Sequence, residues 1–399
     1  MPLCIVGLLE VVLDHKSLVD IQAFILCHID AAVIEADHSA RQGRIVDAER
    51  AAGLELLIKP VFRRGLHVLG CHLLVVSVLV WECAAPGRNR RSDCDYIRWS
   101  APDNKECRND AEHMALSFVR SAADVLAARQ FISEAGGNRQ IPLIAKIEKH
   151  EALPCIDAIV DAADGIMVAR GDLGVEIPVE SVPALQKDLI MRANAEAKPV
   201  ITATHMLRSM IKSPRPTRAE ASDVANAILD GTDAVMLSEE TAEGEHPVAA
   251  VKMMCRLADA TEESASYGYS SPGSAEKTSH SGAVARAAAI LAAEIDAAAI
   301  LTCTQSGSTT RLVAKCRPRV PIIALTPDER TYRRLALVWG AIPLAMAPAA
   351  SADAMEQQAL ATALEAGLLR KGNHVVITAG LPLHVAGTTN MLRVAAVGG

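Results

Sequence analysis

Lys146 and Glu148 stand two apart in IAKIE, so on a β-strand both side chains fall on one side and bring a cation and a carboxylate to the same point. An ordinary ion pair at a strand end has the same pattern. The run GIMVARGDLGVEIP sets Gly171 and Gly174 on either side of Asp172, just past an apolar segment. Glycines there let backbone N–H groups approach an anion, and the adjoining carboxylate can hold a hard divalent cation through oxygen. A glycine turn with an Asp cap reads identically. In VITATHM, Thr202 and Thr204 are expected on one side of a strand terminus, with Thr204 offering its hydroxyl to a carboxylate or phosphate oxygen. VMLSEET ends on Ser238 and two acids, Glu239 and Glu240, for which a solvated position is the plain expectation. Farther on, Thr304, Ser306, Gly307, Ser308 and Thr309 gather hydroxyls and backbone donors at the start of a helix, which suits an anion or simply caps the helix.

These groups can act together only if the strands that carry them end at one mouth. From Met114 onward, short apolar runs alternate with segments of helical period: MALSFV (114–119), PLIAKI (142–147), GIMVA (165–169), PVITA (199–203) and DAVML (233–237). That rhythm predicts βα units and a parallel sheet. In the segment closing at Asp230, Ala221, Val224, Ala225, Ile228 and Leu229 recur at helical spacing, and Gly231 sits where a C-cap belongs. A helix from Val182 to Ala197 is expected to stop at Lys198-Pro199. Five units suit part of a (β/α)8 TIM-barrel-type domain, in which residues at the C-terminal strand ends share one site. Residues 264–281 are rich in Ser, Gly and Tyr and read as a linker. Beyond it, AAAILTC (297–303), PIIAL (321–325) and HVVITA (374–379) predict the strands of a second α/β region, with helices from Ser281, Ser308 and Ala352.

Composition narrows the class. The chain has 399 residues, half of them hydrophobic and only 3% aromatic, with a net charge of −7, which describes an aliphatic-packed α/β protein without a basic face or stacking platform for nucleic acid. Its ten cysteines form no CxxC pairs and no secretory leader opens the chain, so a reducing, cytoplasmic setting is expected. The apolar run from Leu66 to Trp81 is shorter than the roughly 20 residues of a membrane span and is expected to be buried.

The motifs IAKIEKHEAL, DGIMVARGDLGVEIP, ALSFVRSAADV and the long run KPVITATHMLRSMIKSPRPTRAEASDVANAILDGTDAVMLSEETAEGEHPV resemble the pyruvate kinase family. So do TQSGSTTRLVAKCRPRVPIIALTP, LALVWG and VVITAG followed by GTTN. The resemblance runs from about residue 110 to the C-terminus. It implies a barrel domain followed by a C-terminal α/β regulatory domain, and transfer of a phosphoryl group from phosphoenolpyruvate to ADP in glycolysis. It implies Mg²⁺ or Mn²⁺ on Glu148 and Asp172, and Lys146 as the lysine that neutralises the phosphoryl group in flight. Substrate contacts fall to Gly171, Asp172 and Thr204, and Ser238 matches a serine near the path of enol protonation. It further implies K⁺, a sugar-phosphate effector at the loop of Thr304, Ser306, Gly307, Ser308 and Thr309, and a homotetramer.

Three positions depart from the family pattern: His205 stands in place of glutamine, Glu239 in place of glycine and His384 in place of glycine. An inward-pointing Glu239 would weaken the binding of an anionic substrate. Residues 1–109 are a larger departure. The family's first three barrel strands, its Arg-Asn-Phe-Ser motif and its lid domain have no recognisable counterpart there, as expected of a divergent replacement or a shifted reading frame. The expected organisation is therefore an unmatched segment at 1–109, barrel strands 4 to 8 at 110–264 and a second domain at 275–399. A catalytically impaired member retaining a binding or assembly role is the alternative reading.

Overall fold

The computed structural model describes residues 4–6, 78–81, 112–136, 141–264, 279–383 and 387–398. The expected linker core, His384 and most of the first 111 residues lie outside them, as does most of the apolar run ending at Trp81.

The first sheet is entirely parallel. Strands β1 (Cys4–Val6) and β2 (Val78–Trp81) precede β3 (His113–Leu116), β4 (Leu143–Ile147), β5 (Gly165–Ala169), β6 (Val200–Ala203) and β7 (Ala234–Met236), in the order β1-β7-β6-β5-β4-β3-β2. All five predicted barrel strands are present, and the front of the chain adds two more, one at each end of the sheet. Every residue of β3 to β7 is buried, which explains why these strands read as continuous apolar runs rather than alternating ones.

Alternation reappears in what each side chain touches. Leu143, Ala145, Ile147, Ile166, Val168 and Val200 pack outward against the helices Ala122–Gly136, Ile156–Ala162 and Val182–Ala195. Ala115, Ile144, Met167, Ile201, Ala203, Ala234 and Met236 form the opposite, inner cluster. The helix Arg218–Leu229 starts at a capping box between Thr217 and Glu220, and Gly231 follows it at φ +96° as the C-cap argument requires.

The second region is a five-stranded sheet of order β10-β9-β8-β11-β12, with β8 at Ala299–Cys303, β9 at Ile322–Thr326, β10 at Ala341–Ala345, β11 at His374–Gly380 and β12 at Thr389–Ala396. Only β12 runs antiparallel, against β11. One face is covered by the helix Ala352–Glu365 and the other by His280–Glu294 and Ser308–Lys315.

The two regions meet at the N-terminal ends of the barrel strands. Leu337 joins the inner barrel cluster, and Trp339, fully buried, joins the core around the helices Arg218–Leu229 and Pro247–Glu262. Arg317 forms a buried ion pair with Asp233 at 2.9 Å and lies 4.9 Å over the Trp339 ring. His113, the first residue of β3, is buried at this end. Burial, reinforced by the Arg334 charge, pushes its pKa down from 6.5 to about 3.

Candidate active site

The inner parity of β3 and β4 continues past their ends and aims Ser117, Lys146 and Glu148 at one point. Lys146 is 1% and Glu148 0% exposed; Lys146 Nζ lies 2.5 Å from Glu148 Oε1 and donates to Ser117 Oγ at 2.9 Å. The second oxygen, Glu148 Oε2, accepts the Phe118 N–H at 2.7 Å. Phe118 reaches this position at φ +57°, a left-handed conformation rare for a bulky residue. Burial pushes the Glu148 carboxyl up against the opposing pull of Lys146 and the Phe118 N–H, and the nearby negative charge of Asp172 pushes the same way as burial.

Asp172 is half-buried in the first turn of the helix Arg170–Glu176, directly after β5. A buried carboxylate raised by desolvation and by a second acid is a site that a divalent cation would relieve, and both donors are the hard oxygens such a cation takes.

Gly171 stands against the next loop: a Cβ there would meet Thr204 Cγ2 at 2.6 Å. Strand β6 ends at Ala203, and Thr204 and His205 follow at φ +73° and +57°, consecutive left-handed residues without a glycine, each costing about 1–3 kcal/mol. The expectation that Thr202 and Thr204 share a side through strand periodicity is therefore corrected. Thr202 has the outward parity and donates to Thr232 Oγ1 at 3.0 Å, whereas Thr204 is re-aimed by its turn. Thr204 Oγ1 is buried and has no hydrogen-bond partner among the described residues.

Ser238 is buried just past β7, and its N–H donates to Glu240 Oε2 at 2.7 Å. Glu240 is 2% exposed and also accepts the Leu207 N–H at 3.0 Å, so it is a buried brace between two loops rather than a solvated acid. Glu239 is the solvated one. Its carboxylate lies 4.0 Å from Arg208, whose guanidinium also sits 3.0 Å from His205 Nε2, so two of the three departures share one exposed basic partner.

In the second region, Thr304, Ser306, Ser308 and Thr309 line one cavity with Met346, Gly380 and Thr388. Gly307, at φ +78°, makes the turn into the helix. Its N–H is held by Thr304 Oγ1 at 2.9 Å, and Thr309 Oγ1 is paired with Thr389 Oγ1 at 2.7 Å.

Sequence reasoning missed Ser117, the Phe118 N–H, Arg170 and Glu240. Ser117 was recoverable from parity, two residues beyond the inner Ala115. The others depend on loop conformations that leave no mark on residue spacing.

Two family models match this chain: "Pyruvate kinase, barrel domain" over residues 95–251 and "Pyruvate kinase, alpha/beta domain" over 282–395. The chain belongs to the pyruvate kinase family. It is 47% identical over 293 residues to a pyruvate kinase of Clostridium acetobutylicum, covering 73% of this chain and 62% of that one. It is 50% identical over 289 residues to one of Geobacillus stearothermophilus, covering 72% and 49%, and 45% identical over 351 residues to pyruvate kinase 2 of Synechocystis sp., covering 86% and 58%. The chain thus spans about half to three-fifths of the length of these pyruvate kinases. The barrel match begins at residue 95, ahead of the quoted motifs, and the parallel sheet and second α/β region are consistent with the family's barrel and α/β architecture; among the described residues the first sheet has seven strands, with β1 and β2 at its ends.

Proposed function

We propose that the mouth formed by β3 to β7 binds phosphoenolpyruvate with a divalent cation and transfers its phosphoryl group to ADP, yielding pyruvate and ATP. The observation that carries this reading is the buried Lys146 ammonium, fixed by Glu148 and Ser117 on a chain of this family. A preorganised cation acts where charge develops on the migrating phosphoryl group and needs no reorganisation during the step. Glu148 and Asp172 would hold Mg²⁺ or Mn²⁺, which when bound neutralises charge on phosphate and enolate oxygens. The backbone of Gly171 and Asp172 and the orphan hydroxyl of Thr204 orient the substrate, and Ser238 stands near the path of the proton that converts the enolate to pyruvate.

The family also implies K⁺. Its oligomeric habit suggests a homotetramer, and the cavity at Thr304, Ser306, Gly307, Ser308 and Thr309 suits the phosphate of a sugar-phosphate effector. The barrel segment is assigned to residues 110–264 and the second domain to 275–399, after a front segment at 1–109 that the barrel family model reaches only from residue 95. Among the described residues no helix is long and apolar enough to cross a membrane; a cytoplasmic location is part of the proposed reading.

The test is pyruvate release with phosphoenolpyruvate, ADP, Mg²⁺ and K⁺. Lys146→Met should lower turnover by roughly 10² or more with an unchanged melt, the scale of a lost electrostatic stabiliser. A variant with near-normal turnover would end the assignment. The alternative reading is a binding or assembly role without turnover. Phosphoenolpyruvate binding with no pyruvate release would support that one.

A further inference from the structure

Arg170 directly precedes Gly171 and Asp172, and an arginine beside such a pair suggests a phosphate clamp. Its hydrogen bonds say otherwise. Nε donates to the Ala203 carbonyl at 3.2 Å, and Nη2 to the Thr204 carbonyl at 2.9 Å and to Met206 Sδ at 2.7 Å. Nη1 donates to Asp223 Oδ1 at 2.6 Å and to Gln186 Oε1 at 3.4 Å. A guanidinium has five N–H donors, and these five contacts engage all of them with protein acceptors. The side chain is 11% exposed, its charge is matched by Asp223, and Gln186 is itself tied to Asp230 at 2.9 Å.

What the guanidinium grips is the turn that re-aims Thr204. Ala203 is the last residue of β6 and Thr204 the first of the two left-handed residues, so both captured carbonyls flank the point where the chain leaves strand geometry. Without that turn, strand parity would send residue 204 to the outer face, as it does Thr202. With it, the Thr204 hydroxyl is buried beside Gly171 with no protein partner among the described residues. We propose that Arg170 is a positioning residue: by holding the Ala203 and Thr204 carbonyls it presents the Thr204 hydroxyl to the substrate and sets the β5 and β6 loops in register. For its ligand this inference rests on the phosphoenolpyruvate reading above.

The experiment measures phosphoenolpyruvate affinity by calorimetry in the presence of Mn²⁺ for the unmodified chain, Arg170→Met, Thr204→Val and the double variant, alongside hydrogen exchange of the 203–207 backbone. Arg170→Met should weaken binding roughly tenfold or more, the scale of a lost hydrogen bond to a charged group. In the Thr204→Val background the same change should add less than about twofold, because the arginine acts through that hydroxyl. Arg170→Lys should restore part of the affinity, a single ammonium replacing a fork. Exchange at 203–207 should accelerate at least about tenfold in Arg170→Met while the β4 and β5 amides stay protected. Should Arg170→Met fail to fold, Asp223→Asn, which removes only the counter-charge, should show the same coupling with Thr204 at smaller amplitude. Equal losses with and without the Thr204 hydroxyl would overturn the inference, as would unchanged exchange at 203–207. Absence of any phosphoenolpyruvate binding by the unmodified chain would refute the functional reading instead, and the exchange measurement, which needs no ligand, still decides the part played by the arginine.

Discussion

Arg317→Met should be one of the most destabilising single changes available in this protein. The arginine and Asp233 are each 9% exposed and 2.9 Å apart, so the methionine leaves a carboxylate in the interior with no counter-charge. Asp233 keeps the Val200 N–H at 2.8 Å, but the guanidinium's hydrogen bonds to Asn194 Oδ1, at 3.1 Å, and to the Gly231 carbonyl disappear. Breaking one side of a buried ion pair costs about 3–5 kcal/mol, and loss of the cation above Trp339 adds about 1 kcal/mol. Asp233→Asn in the same chain removes the stranded charge while an amide oxygen still accepts the Val200 N–H. The double variant should therefore be more stable than Arg317→Met alone by about 2 kcal/mol. Urea unfolding followed by far-UV circular dichroism measures both. A loss below about 1 kcal/mol for Arg317→Met, or a double variant that costs the full sum of the singles, would refute the reasoning.

Two further expectations concern charge. His113 is held neutral with a pKa of about 3 against an ordinary 6.5, so its contribution is fully present above pH 6.5. As pH falls from there toward 3 the unfolded chain takes up a proton that the folded chain refuses, and stability drops by about 1.4 kcal/mol per pH unit. His113→Phe should remove that slope when stability is compared between pH 4 and 7 in paired urea titrations, and an unchanged slope would show that the imidazole is not the source. Mn²⁺ binding, read by electron paramagnetic resonance, should weaken roughly tenfold or more in either Glu148→Gln or Asp172→Asn, since each removes one anionic ligand; a variant binding as tightly as the unmodified chain would take its residue out of the metal site.

The units from β3 to β7 were legible because each carries an apolar run bounded by turn signals, and because helix ends such as Thr217 with Glu220, or Gly231, use local chemistry that residue types reveal. Lys146 and Glu148 followed for the same reason, as parity along a strand survives to its last residue. Thr204 did not, because its direction is set by a left-handed turn made without glycine and braced by an arginine 34 residues away. Glu240 looked solvated beside Glu239 because two adjacent acids give no hint of which one turns inward to receive the backbone N–H groups of Leu207 and Ser238. The strands Cys4–Val6 and Val78–Trp81 were invisible for another reason. Strands as short as β3, β6 and β7 were read from the βα rhythm around them, which the front of the chain lacks, so only pairing with β7 and β3 identifies these two.

Leu337 belongs by chain position to the second region and by packing to the inside of the barrel. This has a consequence for anyone exchanging parts between relatives. A chimera cut at the linker would bring a foreign residue onto the floor of the barrel, a foreign aromatic into the pocket of Trp339 and a foreign partner to Asp233, so the seam would fail at packing even where each half is sound. The unit that can be transplanted intact is defined by contact rather than by sequence order: the stretch from Arg317 to Trp339 has to travel with the helix end at Asn194 and the entry to β7 at Asp233 that receive it.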